Sequence, residues 1–571
     1  MTTQALERRF VPDGLDVSDF SRLQPLYREL HDRVIESATD LNRWLLDFSE
    51  LSAVVREYAA RRAIEQSCHT DDPAIEKRFL HFITEIEPKI KPWFFKLQKK
   101  YVECEHHRKP ADPKIDVLMR EWRVDVELFR DENVPLQADE KKLNNEYDKI
   151  IGAMIVEFRG QEYTLQQLAR FLEETDRETR REAWTLTESR RIRDRDRIDE
   201  VFDRLLEVRA KIARNAGLDS YRDYLWRSWK RFDYTPDDCR RFADAIEATC
   251  MPVVRALNEK RRVELGVDRL RPWDLAVDPE GRPPLRPFPP DEVDKLVSGC
   301  RSIFERIAPA LAEDFDRLRP GRNLDLDSRK GKRAGGYQAS LPEVKQPFIF
   351  MNAAGMQSDV RTLLHEGGHA FHYLWSNHEP ILFLQHAPIE FCEVASMSME
   401  LMADDHLTVF YDDADARRAR RRHLEGIVRL FPWVATIDQY QHWLYTHPRH
   451  TRDERTRAWL NVLGRFTDPT IDWSGFEDHR AAMWQRQLHL FHVPFYYVEY
   501  GIAQLGALQV WKRYRHNAGE ALADYRAGLS LGGTRPLPQL FQAAGIRFDF
   551  SARTMQPLMA MIRDELDVPG D

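Results

Sequence analysis

The chain has 571 residues and a mass of 67.4 kDa, which is too large for a single compact core. Hydrophobic residues make up 42% of it and charged residues 32%, a balance typical of soluble folded proteins that argues against a disordered, collagen-like or coiled-coil chain. Lys and Arg total 86 against 94 Asp and Glu, so the formal net charge is −8, and affinity of the whole molecule for nucleic acid or anionic membranes is not expected.

The chain shows no targeting or membrane-spanning pattern. Its first residues, MTTQALERRFVPDGLD, lack the apolar core of a signal peptide. The most apolar long segment, 493–511, contains Glu499, Gln504 and Gln509 and therefore predicts a buried helix rather than a membrane span. The six cysteines are scattered without C-x-x-C spacing, which is typical of reduced thiols. We therefore expect a cytoplasmic protein without a membrane partner.

Most of the chain has a helical pattern. Residues 41–66 place apolar side chains three and four positions apart, which predicts one amphipathic helix. Pro88 and Pro92 predict a kinked or broken helix across 81–104. A charged helical run begins near residue 182 and ends before Gly217, which suits a left-handed cap.

Two features interrupt the helical pattern. Seven prolines lie between positions 272 and 290, so we expect an extended surface connection between lobes there. After the basic run RKGKRAGG, the segment YQASLPEVKQPFIFMNAAG is the best strand candidate in the chain. The prediction is a mainly helical protein with one small sheet just before residue 360.

The next segment, SDVRTLLHEGGHAFHYLW, combines a helical apolar pattern with the motif H-E-x-x-H. Asp359 is its predicted N-cap. His365 and His369 are four residues apart and so lie on the same face of a helix, where both imidazoles can bind one zinc ion. Glu366 would project beside that metal and could take a proton from a water molecule. Gly367 and Gly368 lie mid-helix, which predicts that the helix backbone closely approaches something such as a strand or a bound ligand.

A catalytic zinc ion needs a third protein ligand besides the two histidines. The metzincin spacing would require Gly at 372 and His at 375, but the chain has His372 and Trp375 there. A second predicted helix, opening near residue 388, carries Glu390, Glu393 and Glu400 close to one face, and Glu393 is the middle candidate.

These residues resemble a known family. The run GGYQASLPEVKQPFIFMNAAGMQSDVRTLLHEGGHAFH, followed by EFCEVASMSME, is similar to the oligoendopeptidase F branch of the thimet oligopeptidase family. Further similar segments begin at Ala216, Arg271, His492 and Gly532, so the resemblance extends from about residue 200 to 550. It implies a mainly α, multi-lobed zinc-peptidase fold with one small β-sheet beside the H-E-x-x-H helix, its lobes enclosing a deep substrate cleft.

The resemblance also implies a domain layout. We expect an N-terminal helical lobe over 1–180 and a catalytic zinc-peptidase domain over 181–571. Within the latter, the active-site region would span 335–404 and a substrate-binding helix would span 489–511. By the same resemblance, His365, His369 and Glu393 hold one zinc ion per chain, and Glu366 is the general base.

The family uses a histidine and tyrosines from a late helix to bind substrate and the tetrahedral intermediate. Here the matching segment is HLFHVPFYYVEYG, in which Tyr496 and Tyr500 are four residues apart and so could face one cleft. The resemblance therefore implies that Tyr500 is catalytic and Tyr496 binds substrate. The histidine is His489 or His492, and we favour His489.

Two further roles are predicted near the motif. Glu400 either hydrogen-bonds a ligand histidine or is an ordinary helix-face carboxylate. The strand around 335–340 could accept substrate as an added strand, with Gly336 and Tyr337 as substrate-binding positions. The preceding RKGKR run is expected to be a solvated loop.

The sequence thus predicts a zinc metalloendopeptidase that hydrolyses internal bonds of short peptides. The alternatives are a zinc carboxypeptidase or dipeptidase, which also use H-E-x-x-H helices, and a non-catalytic peptide-binding protein on the same fold. Oligopeptides are the expected partners, and nucleic acid is not. The sequence makes no prediction of oligomeric state.

Overall fold

A computed structural model of the protein describes residues 6–108, 112–319 and 322–568. Residues 1–5, at the start of the N-terminal stretch in which no signal peptide is predicted, lie outside the described residues. The described chain is mainly helical with two small sheets, which confirms the predicted fold class.

The helices of the first half run from the N-terminal region to the residues before the proline-rich segment. In chain order they are α1 (Phe20–Asp32), α2 (Ala38–Cys68), α3 (Pro73–His81), α4 (Glu87–Glu103), α5 (Pro113–Leu128), α6 (Asn133–Gly152), α7 (Leu165–Leu168), α8 (Arg177–Arg193), α9 (Arg195–Asn215), α10 (Tyr221–Ser228) and α11 (Pro236–Glu264).

The helices of the second half include those that carry the motif residues. They are α12 (Val293–Ile307), α13 (Pro309–Asp316), α14 (Gln357–Ser376), α15 (Ile389–Ala403), α16 (Asp413–Thr446), α17 (Arg452–Arg465), α18 (Glu477–Ala482), α19 (Leu488–His492), α20 (Val498–His516), α21 (Ala518–Ser530), α22 (Leu537–Ala543) and α23 (Ala552–Leu566).

The local helix predictions agree with these bounds. The amphipathic pattern at 41–66 lies within α2, and Gly217 has φ +74 after α9. The kink predicted across 81–104 is a π-helical turn at Phe82–Ile86 between α3 and α4, directly before Pro88. Pro88 has no N–H and so cannot donate the hydrogen bond that a regular α-helix requires. The wider π-helical turn before it accommodates this missing donor.

Two sheets are present in the described residues. β1 (Ile155–Phe158) and β2 (Gln161–Thr164) form an antiparallel hairpin. The second sheet has the order β3–β5–β4, with β3 (Leu324–Asp327) parallel to β5 (Gln346–Ala353) and β4 (Tyr337–Leu341) antiparallel to it. β4 and β5 are the strand segment predicted from the sequence, and β5 packs against α14.

Backbone proximity groups the chain into two compact units, each built from three separate segments. The first unit comprises Met1–Val126, Leu285–Arg420 and Ala503–Phe548, and the second comprises Glu127–Pro284, Arg421–Ile502 and Asp549–Asp571. The boundary predicted between residues 180 and 181 falls inside α8. Neither unit is a continuous stretch, because the chain passes from one to the other several times.

One core cluster of the first unit lies mainly among its N-terminal helices. It includes Trp44 and Phe48 of α2, which are fully buried. A smaller cluster joins α2 to the three-stranded sheet through Cys68, Phe348 and Phe350. This cluster supports the sheet from the side of α2.

The proline-rich segment 272–290 contains the division between the units at Pro284 and Leu285. Its prolines keep it non-helical apart from one 3-10 turn at Pro272–Asp274. It is not purely a surface connection, because Leu285 and Phe288 are buried. These two apolar side chains anchor the segment while its prolines keep the backbone extended.

The continuous helix predicted at 489–511 is wrong. The structure has the short α19 and then α20, separated by residues 493–497. Pro494 has no N–H for a helical bond, and Phe495 has φ +64, a left-handed conformation incompatible with a helix. Among the described residues, every helix is too short or too polar to cross a bilayer.

Candidate active site

The H-E-x-x-H motif lies on α14, which follows β5 directly. Asp359 is in the first turn of α14 rather than at the predicted N-cap, because the helix begins at Gln357. Its carboxylate accepts the backbone N–H groups of Ala354 and Met356 at 2.7 and 2.8 Å. Asp359 thus joins the end of the strand to the start of the helix and fixes where the motif residues project.

Three candidate metal ligands lie together in the first unit. His365 and His369 of α14 and Glu393 of α15 offer ligand atoms that are all within 4.8 Å of one another. The Oε2 atom of Glu393 lies 3.4 Å from Nε2 of His365 and 3.7 Å from Nε2 of His369. Ligands about 2.0–2.2 Å from a tetrahedral zinc ion are about 3.3–3.6 Å apart, so these residues fit that ion.

Two further side chains orient the ligands. Glu400 places Oε1 2.6 Å from Nδ1 of His365, which leaves Nε2 of the imidazole to face Glu393. Ser396 donates its hydroxyl to Oε2 of Glu393 at 2.9 Å. Hydrogen bonds of this kind hold ligand side chains in their binding orientation. Ser396 is absent from the sequence predictions, although its position one turn after Glu393 is a signal that could have found it.

The charges around His365 set its protonation. Burial pushes the pKa of His365 down, but the hydrogen bond and charge of Glu400, together with Glu393, raise it more, to about 9. Burial lowers the pKa of His369 far below its usual value and raises that of Glu393. A cation that binds these groups therefore displaces a proton from His365 and compensates the buried carboxylates.

Glu366 lies beside the ligands and close to a different element. It is 6% exposed, and its carboxyl is near enough to the backbone N–H of Gln338 on β4 for that group to lower its pKa. Burial, reinforced by Glu393 and opposed by His365, raises the pKa of Glu366 to about 7. A carboxyl with such a pKa can both accept and return a proton near neutral pH. The proximity of Gln338 was not predicted from the sequence.

The predicted substrate strand is the edge strand β4. Its partner β5 occupies one side only, as the order β3–β5–β4 requires. The ring of Tyr337 stacks on Phe350 at 4.9 Å between centroids, so the side chain of Tyr337 packs inward. Gly336 is exposed immediately before β4, and a Cβ there would lie 3.1 Å from Thr362 of α14. The RKGKR loop is less solvated than expected, because the side chain of Lys332 is fully buried against Asp325.

The late residues form a cluster within the second unit. The imidazole of His489 lies 6.1 Å from the ring of Tyr496 and 5.9 Å from that of Tyr500, and the two tyrosine rings are 5.4 Å apart. Tyr496 precedes α20, so this proximity does not come from the predicted helical spacing. His492 instead bonds Asp148 at 2.9 Å. The structure therefore groups His489, not His492, with both tyrosines.

The comparisons with known proteins identify the family of the chain. The sequence pattern of peptidase family M3 matches residues 170–559, more than half of the chain. The chain belongs to peptidase family M3. The Peptidase M3 N-terminal domain matches residues 15–129 of this family member.

Named relatives of this M3 family member are oligopeptidases. An oligoendopeptidase F homolog of Borreliella burgdorferi is 23% identical over 43% of this chain and 43% of its own length. Oligopeptidase PepF of Bacillus subtilis is 22% identical over 56% of this chain and 47% of its own length. The chain thus spans about half the length of the curated relatives it matches.

Solved structures of M3-type peptidases match nearly the whole chain. PZ peptidase A with an inhibitor has a TM-score of 0.87 and 27% identity, covering 98% of this chain and 99% of its own. An X-ray structure named as an oligoendopeptidase F has a TM-score of 0.86 and 29% identity, with the same coverage. These matches place the chain in the oligoendopeptidase F branch of the family.

The contact between Glu400 and His365 gives a first prediction. Glu400→Gln should lower zinc affinity about 10–100-fold, because the amide orients the imidazole less strongly than the carboxylate. Competition with a zinc chelator measures this. Arg361→Gln is the matched control, since Arg361 is half exposed and approaches the other oxygen of Glu400 at 3.8 Å only. Equal affinities for the wild type and Glu400→Gln would contradict an orienting role.

Gly368 explains how closely α14 and α15 pack. A Cβ at this position would lie 2.7 Å from Cα of Ser396 and 2.8 Å from the carbonyl oxygen of Ala395, both backbone atoms of α15. Gly368→Ala should therefore destabilise the protein by about 1–3 kcal/mol, because α15 must move away with Glu393. The melting temperature and the zinc affinity should both fall.

Gly426 provides the matched control for that substitution. It also lies inside a helix, α16, but a Cβ there would meet nothing within 4 Å. Gly426→Ala should stabilise the protein by up to about 1 kcal/mol through helix propensity alone. If both alanine variants shifted the melting temperature in the same direction, the close approach of α15 would not control the effect of Gly368.

Proposed function

We propose that this protein is a zinc-dependent oligoendopeptidase that cleaves internal bonds of short peptides. The observation that carries the proposal is a zinc-type donor set, His365, His369 and Glu393, adjacent to the buried carboxyl of Glu366 with its raised pKa. Membership of peptidase family M3 and the oligopeptidase relatives support the same conclusion.

The proposed reaction needs polarisation of the carbonyl, which the cation would supply, and proton transfer, which the protein would supply. Zinc, held by His365, His369 and Glu393, would polarise the scissile carbonyl and make an attacking water more acidic. Glu366 would remove the proton from that water and then deliver it to the leaving amine. The backbone N–H of Gln338 opposes any further rise in the pKa of Glu366.

We further propose that β4 binds substrate through its backbone. An extended peptide added to an edge strand gains affinity from main-chain hydrogen bonds without a sequence requirement. Gly336 and Tyr337 would contribute through main-chain atoms, because the Tyr337 ring is engaged with Phe350. This arrangement would place the peptide near Glu366, whose pKa is lowered by the backbone N–H of Gln338 on the same strand.

We propose that the tyrosine cluster stabilises the oxyanion and binds the substrate. Tyr500 would donate its hydroxyl to the developing oxyanion, Tyr496 would bind substrate, and His489 would assist. Burial lowers the pKa of His489 to about 4, which keeps its imidazole neutral and able to donate one N–H at neutral pH. The family resemblance supports these roles, and the proximity of the three rings is consistent with them.

Product mapping tests the proposed function. The protein is incubated with a mixed library of peptides of different lengths, with and without a zinc chelator, and products are identified by mass spectrometry. Cleavage at internal bonds that stops on chelation and returns with zinc is the expected result. Release of single residues or dipeptides from one end would instead identify an exopeptidase, and no cleavage at all would identify a binding protein.

We also propose a cytoplasmic location. No disulfide joins the six cysteines in the structure, and four of them are buried. Reduced, mostly buried thiols are typical of proteins from a reducing compartment. Fractionation of expressing cells, followed by detection of the protein with an antibody, tests the location.

A further inference from the structure

A second cluster of metal-binding residue types lies in the second unit, on elements that carry none of the ligands described above. Cys239, Asp438 and His442 offer ligand atoms that are all within 4.8 Å of one another. The three residues are 1%, 2% and 8% exposed, respectively. The cluster is therefore an enclosed set of sulfur, oxygen and nitrogen donors rather than a group of surface acids.

Two helices bring these residues together. Asp438 and His442 are four residues apart on α16, so their side chains share one face of that helix. Cys239 lies in the first helical turns of α11, whose start is fixed by a capping box between Thr235 and Asp238. The start of α11 is capped, and Asp438 and His442 lie well inside α16, so all three donors lie on helical backbone.

Two polar atoms of the cluster, one on Asp438 and one on His442, have no hydrogen bond within the described protein. Oδ1 of Asp438 and Nε2 of His442 are both buried without a hydrogen-bond partner. Nε2 of His442 lies 3.4 Å from Oδ2 of Asp438 but without hydrogen-bond geometry. Gln439 donates to Oδ2 at 3.1 Å, which leaves Oδ1 unaccounted for. Buried polar atoms of native proteins nearly always have a partner, so these two point to a missing one.

The surroundings of the cluster suit a dry metal site. The imidazole of His442 is flanked by the rings of Trp226 and Phe495, at 5.7 and 5.1 Å between centroids. Apolar walls of this kind strengthen the attraction between a carboxylate and a cation, since little water screens their charges. A divalent cation there would compensate the buried charge of Asp438.

We propose that Cys239, Asp438 and His442 bind a second, structural zinc ion. Thiolate, imidazole and carboxylate are zinc ligands, whereas magnesium and calcium sites are built from oxygen atoms. The 3.4 Å between Nε2 of His442 and Oδ2 of Asp438 matches the separation of about 3.3–3.6 Å between neighbouring ligands of a tetrahedral zinc ion. The fourth position is available to Oδ1 of Asp438 or to a water molecule.

A zinc ion in this place would link the start of α11 to α16. Its removal should therefore lower the thermal stability of the second unit, independently of the chemistry at His365 and His369. The thiol of Cys239 would be deprotonated in the metal-bound state, which supplies a spectroscopic signature. The other zinc site has two nitrogen donors and one oxygen donor, so only the Cys239 site can give a signal from sulfur coordination.

Metal analysis and cobalt substitution of the full, untagged protein test the proposal. The protein is purified from zinc-supplemented medium, and its zinc content is measured by elemental analysis in the wild type and in Cys239→Ser. A second sample is loaded with Co²⁺, and its absorption is recorded in the near ultraviolet, where thiolate-to-cobalt charge transfer occurs. We expect Cys239→Ser to contain one equivalent of zinc less than the wild type and to lack the charge-transfer band.

Matched variants separate this site from the other one. His369→Ala should keep the band, because it removes only a ligand of the nitrogen and oxygen site. Cys392→Ser should also keep it, since the thiol of Cys392 donates to the carbonyl of Ala387 at 3.4 Å. His442→Gln serves in place of Cys239→Ser if that variant does not fold, and it should lose the same equivalent of zinc.

The wild-type measurement alone can overturn the proposal. Absence of the charge-transfer band from the cobalt-loaded wild type would exclude a thiolate ligand, whatever the variants do. A band that persists in Cys239→Ser, or an unchanged zinc content in that variant, would overturn it as well. None of these results depends on whether the protein cleaves peptides.

Discussion

Replacing Glu366 with Gln should reduce peptide cleavage by about 10²–10⁴-fold, because the amide cannot accept a proton from the attacking water. Zinc should remain bound, since the three proposed ligands are unchanged and an amide of the same size fits beside Gln338. The loss should appear in kcat, with little change in KM, because proton transfer contributes only in the transition state. Steady-state kinetics on an internally quenched peptide and elemental analysis of the same sample measure the two quantities.

The control for this variant is Glu76→Gln, an equivalent change at an exposed position on α3, which should behave like the wild type. Near wild-type turnover in Glu366→Gln would show that another group is the base. Loss of zinc together with activity would show that Glu366 supports the metal site rather than the proton transfer.

The helix and strand around the motif could be predicted because local and tertiary signals coincide there. The apolar spacing of α14 and the continuous apolar centre of β5 need no information from distant residues. The close approach at Gly368 was also foreseeable, since a mid-helix glycine is costly without such a reason. What approaches it, the backbone of α15, was not foreseeable, because that depends on how two helices pack.

The break before α20 explains why the prediction of one continuous helix over 489–511 is wrong. The sequence pattern at 489–511 is apolar and continuous, and Pro494 alone is compatible with a kinked helix. Phe495 takes a left-handed backbone only because distant groups hold it: Gln441 accepts its N–H at 2.6 Å. Strain that tertiary contacts impose on a single residue leaves no periodic signal in the sequence.

The predicted domain layout and the compact units differ for another reason. A boundary at residue 180 assumes that each unit is one continuous stretch, whereas the units here are each assembled from three segments. The proline-rich segment contains one passage between the units, near residue 284. The passages inside α5, α16 and α20 carry no such composition, because a helix continues through each of them.

Replacing Arg231 with Met should destabilise the second unit by about 3–5 kcal/mol, because it leaves a carboxylate buried without its cation. Arg231 and Glu499 are each 1% exposed and lie 2.6 Å apart. Arg231 also donates to the carbonyl of Phe495 at 2.5 Å, so it holds the strained residue that precedes Tyr496 and Tyr500. Denaturant unfolding followed by fluorescence and circular dichroism measures the loss of stability.

Two further variants separate the ion pair from general effects of substitution. Lys142→Met removes an exposed cation that lies 2.9 Å from Asp139, and it should change the free energy of unfolding by less than about 1 kcal/mol. Arg231→Met combined with Glu499→Leu should recover most of the lost stability, since no buried charge remains. It should not recover kcat, because the Phe495 carbonyl has lost its donor and the tyrosine segment is no longer held. A double variant as unstable as Arg231→Met alone would mean that the cation packs against Trp226, at 4.7 Å from its ring centroid, more than it neutralises Glu499.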